Sequence, residues 1–190
     1  MQRCKWVEGA APLMIDYHDV EWCRPQHDDR YLFEFLVLES FQAGLSWQIV
    51  LRKRTAFQEA FDNFDVAKVS AYDEDRIELL AQNPAIIRNR QKIRAAVNNA
   101  RVFRDIQEEY GSFDRYIWHF TDGQIIHNTD NEERATSPLS NTVSKDLKAR
   151  GMKFVGPTII YSFLQAAGVI NDHDTTCDFY AIDEPQTQVN

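Results

Sequence analysis

Glu39 sits where an acid is costly. Leu32, Phe35 and Leu36 recur at helical spacing and mark a buried stripe, and Glu39 falls on that stripe. A carboxyl group on such a face must be hydrogen-bonded, by the fold or by a ligand. Just beyond it, Ala43-Gly44-Leu45 breaks the helix and Ser46-Trp47 restarts it. Gly44 permits close approach of another backbone and Leu45 offers an apolar wedge, although the pair also fits an ordinary turn between helices. Upstream, Trp6, Tyr17 and Trp22 crowd a segment without clean periodicity. Such rings either pack on a core or, together with Trp47, wall a flat pocket for a planar ligand such as a base.

A second constellation links the chain's two ends. Cys4 and His18 lie near the start, and His173 and Cys177 near the end as His-x-x-x-Cys. Two thiolates and two imidazoles suit tetrahedral zinc, and two thiolates would neutralise the ion. Such a site would be closed and structural, clipping the N-terminal segment to the C-terminal one. The spacing equally fits four isolated residues, and His18-x4-Cys23 is a competing pair. Neither His-Glu-x-x-His nor the zinc deaminase pattern of His-x-Glu with Pro-Cys-x-x-Cys is present.

The elements that must position these residues read as helices. Asp28 or Asp29 can cap a helix over about 30–42, and Trp47, Val50, Leu51, Phe57 and Phe61 share one face of a helix over about 46–63. One or two shorter helices fit 66–82, and Asn83-Pro84 signals a turn. A long helix follows from about Asn89 to Tyr110, stopped by Gly111, and a short one covers 114–120. Residues 121–138 read as a surface loop. Ser140 or Asn141 can cap a helix ending at Gly151, and Pro157 opens an apolar helix that ends at Gly168. Without repeats or linkers, the 190 residues fit a single all-α domain, with about 180–190 a loose tail.

Composition narrows the class. A hydrophobic fraction of 44% with 26% charged residues is that of a soluble globular protein. No signal pattern or membrane-length apolar run occurs, which points to the cytoplasm and excludes a membrane partner. Three scattered cysteines argue against a disulfide framework. The net charge of −8 conceals a basic block, since 86–104 holds six Lys and Arg residues and no acid. Such a face fits phosphate binding or simple solvation.

Read together, several blocks resemble the 3-methyladenine DNA glycosylase I family of the helix-hairpin-helix superfamily. They are Arg3-Cys4-x-Trp6, Tyr17-His18-Asp19-x-Glu21-Trp22 and Leu38-Glu39 with Gln42-Ala43-Gly44-Leu45-Ser46-Trp47 and Lys53-Arg54. Ile86-Ile87-Arg88-Asn89-Arg90-x-Lys92-Ile93, Phe154-Val155-Gly156-Pro157-Thr158 and Asn171-Asp172-His173-x-x-x-Cys177 follow in the family's order. The resemblance implies a two-lobed all-α body with a diverged hairpin near 83–90. It implies one structural zinc ion on Cys4, His18, His173 and Cys177. It implies a bacterial, monomeric enzyme that works in the cytoplasm on the nucleoid, with alkylated double-stranded DNA as partner. Ala85 and Cys23 depart from the family, which often has glycine at both places.

The implied chemistry is monofunctional hydrolysis of the glycosidic bond of 3-methyladenine. Leu45 with Gly44 would fill the gap left by a base turned out of the duplex. Tyr17, Trp47, Trp6 and Trp22 would stack on that base, while Glu39 accepts from adenine N6 and repels guanine O6. Arg88, Arg90 and Lys92 would meet phosphates. An acidic, π-rich pocket would favour a cationic purine. No lysine is placed for a Schiff base, and no aspartate is assigned to the sugar. A zinc-stabilised DNA-binding module would keep the basic face without needing Glu39, and a metal-dependent hydrolase would need an open metal position.

Overall fold

The computed structural model describes residues 1–181, which are almost entirely helical. The expected tail lies mostly outside the described residues. Its first residue, Tyr180, is tied in, since its carbonyl accepts from Asn171 Nδ2 at 2.9 Å.

The N-terminal segment is more regular than expected. Helix α1 runs Pro12–Val20, opened by proline at a first-turn position where its missing N–H costs nothing. Its buried residues are Tyr17 and His18, so its inner face is aromatic and does not register as an aliphatic stripe.

Helix α2 (Asp29–Gln42) starts at Asp28, whose carboxylate accepts from the Tyr31 amide at 2.8 Å. Every residue from Leu32 to Phe41 is buried. α2 is therefore enclosed on all sides rather than along one stripe.

The helix expected over 46–63 is broken into α3 (Trp47–Arg52) and α4 (Arg54–Ala60). At the junction the Lys53 amide turns back to Val50 O at 3.0 Å, and left-handed backbone at Asp62, Asn63 and Phe64 stops continuation. Helices α5 (Val66–Ser70) and α6 (Glu74–Gln82) follow, capped by Asp65 and Asp73. After the turn at 83–89, Asn89 caps α7 (Arg90–Tyr110), which Gly111 ends; α8 is Phe113–His119.

The 121–138 segment differs from a plain loop in two ways. Ile126–His127 (β1) pairs in parallel with Ile170–Asn171 (β2), Ile126 opposite Ile170. Helix α9 (Pro138–Ala149) is capped by Ser137, three residues before the expected cap Ser140, because Ser137 and Ser140 form a reciprocal capping box and Pro138 takes the first turn. Helix α10 is Pro157–Ala166. α2 packs against α3, α7, α8 and α10, so the helix carrying Glu39 is the core of the body.

Two backbone positions bind the chain ends to that core. At Gly168 (φ +69°) a Cβ would lie 2.2 Å from the carbonyl carbon of Arg24, so only glycine lets the 24–25 backbone pass. Cys23, where the family usually has glycine, holds the left-handed φ of 60°. A cysteine is strained there, by on the order of 1 kcal/mol. Among the described residues no helix is long and apolar enough to cross a membrane.

Candidate active site

A cavity of about 410 Å³ opens beside α2. Glu39, Tyr17, Trp47, Trp6 and Trp22 all line it, so the structure brings the expected pocket residues together. α2 contributes Glu39 and Gln42, one turn apart, and α1 contributes Met14 and Tyr17 with the same spacing. Trp47 is the first residue of α3, delivered by the break at Gly44. Gln42 belongs to the block that carries the family resemblance, which gives it no role, and Met14 follows only from its helical spacing to Tyr17. Of the other lining residues, Asn128 and Gln165 had no sequence signal, and Asp172 stands in the last block of the resemblance without an assigned role.

The rings fall into two groups along the wall. Tyr17 meets Trp47 at 5.5 Å between centroids and stacks on Phe35 at 6.2 Å, and Trp6 meets Trp22 edge-on at 5.0 Å.

Glu39 lies at the inner edge of the cavity, only 2% exposed, and its Oε2 has no partner. Burial alone raises its pKa well above the usual carboxylate range, which favours the neutral acid over the carboxylate. Trp47 Nε1 is also buried without a partner. Burial, and then the charge of Glu39, push the Tyr17 hydroxyl up as well. Two orphaned polar groups in one aromatic cavity mark a place for a polar, planar ligand.

The wedge is also presented. α2 ends at Gln42, whose carbonyl accepts from the Leu45 amide at 2.6 Å. Gly44 takes a φ of +83°, a left-handed conformation natural to glycine. Leu45 is 39% exposed, with Ile49 likewise exposed nearby in sequence.

The basic residues divide. Arg88 is exposed and engages no acid among the described residues. Arg90 is exposed but paired with Glu78 at 2.5 Å. Lys92 does not lie on the surface: it is 6% exposed, and its Nζ donates to Phe41 O at 2.8 Å and Ala43 O at 2.6 Å. Its assignment to phosphate is therefore corrected, because a buried ammonium turned inward onto two backbone carbonyls is not presented to DNA. Arg94 pairs with Glu74, and Arg101 donates to Ser70 O, so much of the basic block is internally satisfied.

Cys4, His18, His173 and Cys177 converge, all buried, with their donor atoms within 4.8 Å of one another. Cys4 Sγ lies 3.4 Å from His173 Nδ1, and Cys177 Sγ lies 3.7 Å from both His18 Nε2 and His173 Nδ1. His18 Nδ1 donates to Asp19 at 2.8 Å, which turns Nε2 towards the thiols, and Arg3 locks Asp19 in turn. Burial lowers the pKa of both imidazoles, that of His173 to about 4, so both are neutral as ligands must be. The same burial raises the Cys4 thiol, which needs a nearby cation to ionise. This group can hold a metal ion. Cys23 is not part of it; its Sγ accepts from the Asp172 amide at 3.3 Å. The cluster also underlies the pocket wall, with Trp22 edge-on to His173 at 4.8 Å and Trp6 edge-on to His18 at 5.4 Å.

Comparison with known proteins agrees with this geometry. The methyladenine glycosylase family model matches residues 6–181. DNA-3-methyladenine glycosylase 1 of Escherichia coli (strain K12) is 44% identical over 97% of this chain and 100% of its own length. A crystal structure of 3-methyladenine DNA glycosylase I superposes with a TM-score of 0.89 at 45% identity, covering 94% of this chain and 99% of that one. The Staphylococcus aureus enzyme, whose structure describes 3-methyladenine recognition, superposes equally well (TM-score 0.89, 35% identity, 94% and 96% coverage). The chain therefore belongs to the methyladenine glycosylase family.

Proposed function

We propose that this chain is a monofunctional base-excision glycosylase that hydrolyses the N-glycosidic bond of 3-methyladenine in alkylated double-stranded DNA. The observation that carries this is the partnerless carboxyl of Glu39 at the edge of an aromatic cavity, in a chain whose relatives bear that activity in their names. Adenine offers an N6 donor and an N7 acceptor on one edge, whereas guanine offers the acceptors O6 and N7. A protonated Glu39 can accept from N6 and donate to N7, and it mismatches O6. Tyr17, Trp47, Trp6 and Trp22 supply the stacking faces.

Methylation at N3 leaves the purine cationic. The C1′–N9 bond breaks with its electron pair going to the base, which departs neutral. The positive charge passes to the sugar, water adds its oxygen to C1′, and its proton is lost to solvent. Binding and orientation by this chain's side chains are enough for so good a leaving group. Leu45 and Gly44 fill the space the base vacates.

Arg88 and Arg90 meet the DNA backbone, Arg90 by exchanging its exposed acid for a phosphate. The turn at 83–89 acts as the diverged hairpin. Lys53 Nζ holds it by donating to Ala85 O at 2.7 Å, and Ala85 is not in the left-handed region, so glycine is unnecessary there. The amides of Ile87 and Arg88 have no acceptor among the described residues, which suits a phosphate grip.

The four-donor group fits one structural zinc ion. Zn–S near 2.3 Å and Zn–N near 2.0 Å would give tetrahedral edges of roughly 3.3–3.8 Å; three of the six donor pairs stand 3.4–3.7 Å apart, and all four donors lie within 4.8 Å of one another. With all four positions filled by protein, the ion supplies structure and no reactive site. The chain acts as a single two-lobed domain, as a monomer in the bacterial cytoplasm and on its nucleoid.

The test is release of free 3-methyladenine from methylated duplex DNA. The wild-type protein should release it, and Glu39→Ala, which removes two hydrogen bonds and strands a polar base edge, should lose about 2–3 kcal/mol, or roughly 30- to 150-fold. No release by folded, metal-loaded wild-type protein overturns the proposal.

A further inference from the structure

Lys92 is a buried cation without an anion. Among the described residues no carboxylate pairs with it, and its ammonium faces two carbonyls and, at 6.0 Å, the ring of Phe41. A desolvated charge of this kind needs a return. Here the return is the end of α2. The last carbonyls of a helix lack intrahelical donors and carry the negative pole of its dipole. The Leu45 amide satisfies Gln42 O, while Lys92 satisfies Phe41 O and Ala43 O on either side. The ammonium thus straddles the point where helix becomes wedge turn. Its backbone belongs to the first turn of α7, directly after the 83–89 turn.

We propose that Lys92 is a positioning residue that fixes the Ala43–Leu45 turn against the start of α7, so that Leu45 enters the duplex in register with the Glu39 pocket. The proposal rests on the glycosylase reading above and deepens it. Lys92 touches neither base nor phosphate. Its removal loosens the wedge while the walls of the pocket, held by α1, α3 and the Cys/His group, stay in place. Burial lowers the Lys92 pKa, the cost that its two carbonyl contacts at the end of α2 offset.

The experiment compares Lys92→Met with wild type in three measurements. These are affinity for free 3-methyladenine by tryptophan fluorescence, excision from methylated duplex against methylated single-stranded DNA, and the salt dependence of duplex binding. The expected result is free-base affinity within about 2-fold, duplex excision down about 10-fold or more, single-strand excision down about 3-fold at most, and an unchanged salt slope. A phosphate-binding Lys92 would instead lower the salt slope by about 0.9 and depress excision from both substrates alike, which overturns the proposal. Free-base affinity falling in step with melting temperature would show a merely structural role and overturns it too. Should the methionine variant not fold, Lys92→Gln, which keeps a donor for one carbonyl, must show the same duplex-selective loss. In a Leu45→Gly background, either substitution should add little further loss on duplex, and full additivity counts against the mechanism. Absence of excision by the wild type on both substrates would refute the glycosylase reading rather than the role of Lys92.

Discussion

Replacing Glu39 by glutamine should stabilise the free protein by an amount that grows with pH. Glu39 is almost fully buried, its Oε2 has no partner, and burial is what raises its pKa. In the unfolded chain the same carboxyl titrates near 4.3. Between that value and the raised folded one, the native state keeps a proton that the unfolded state has released. Stability then falls as pH rises, by about 1.4 kcal/mol per pH unit across that window, and the penalty is absent below the unfolded pKa. Glutamine has a similar shape and does not titrate, so the variant escapes this slope. Urea unfolding of both proteins at pH 5, 6 and 7, with metal saturating, isolates the effect because every other titrating group is shared. The gap between glutamine variant and wild type should widen by about 1.4 kcal/mol per unit until Glu39 ionises in the folded protein, and then stay level. A gap that is flat from pH 5 to 7 would show that Glu39 ionises normally, and the account of a neutral acid awaiting a base would fail.

Two further outcomes follow from packing and from the four-donor group. Chelation, or Cys177→Ser, should remove one zinc ion per chain and cost several kcal/mol of stability, lowering the melting temperature by on the order of 10 °C; metal loss with unchanged melting would refute a structural role. Gly168→Ala places a methyl group 2.2 Å from the Arg24 backbone at a φ of +69°, and should destabilise by about 3 kcal/mol in urea unfolding. A loss under 1 kcal/mol would mean that the 24–25 segment yields freely.

What the sequence made legible was whatever repeats with the period of a helix or depends on residue type alone. Glu39 stood out because neighbouring aliphatic residues repeat at helical spacing, and α7 was bounded by a cap at Asn89 and a stop at Gly111. The four donors were legible as a set by type, although their separation of up to 173 positions says nothing about distance. Three features were hidden for physical reasons. α1 buries Tyr17 and His18 rather than aliphatics, so its inner face looks irregular. The β1–β2 pair is two residues long, too short for alternation to register. Lys92 shows its charge in the sequence but not its direction. Within a run of basic residues it looked like part of a surface, while its side chain points inward to the end of α2.

That inward lysine and the Cys/His group each support a different part of the site, so on the proposal above groups outside the chemistry set its rate. Trp6 and Trp22 rest edge-on against His18 and His173, so those two walls are as well placed as the cluster is rigid. Glu39 lies on the last turn of α2 and Leu45 in the turn that follows it, so the recognising edge and the wedge are as well placed as that helix end. A base pocket of this kind gains its selectivity by leaving polar groups unpaired until the right edge arrives, and an unpaired group in a soft site would relax towards water or another partner. Rigid anchors at both ends keep the Glu39 carboxyl and the Trp47 indole N–H waiting. The fold thus spends buried charge at Lys92 and buried thiols at Cys4 and Cys177 away from the reacting bond. Substitutions at those anchors should therefore separate: those at the cluster disturb stacking on any substrate, and those at Lys92 disturb only substrates from which the base must first be pulled.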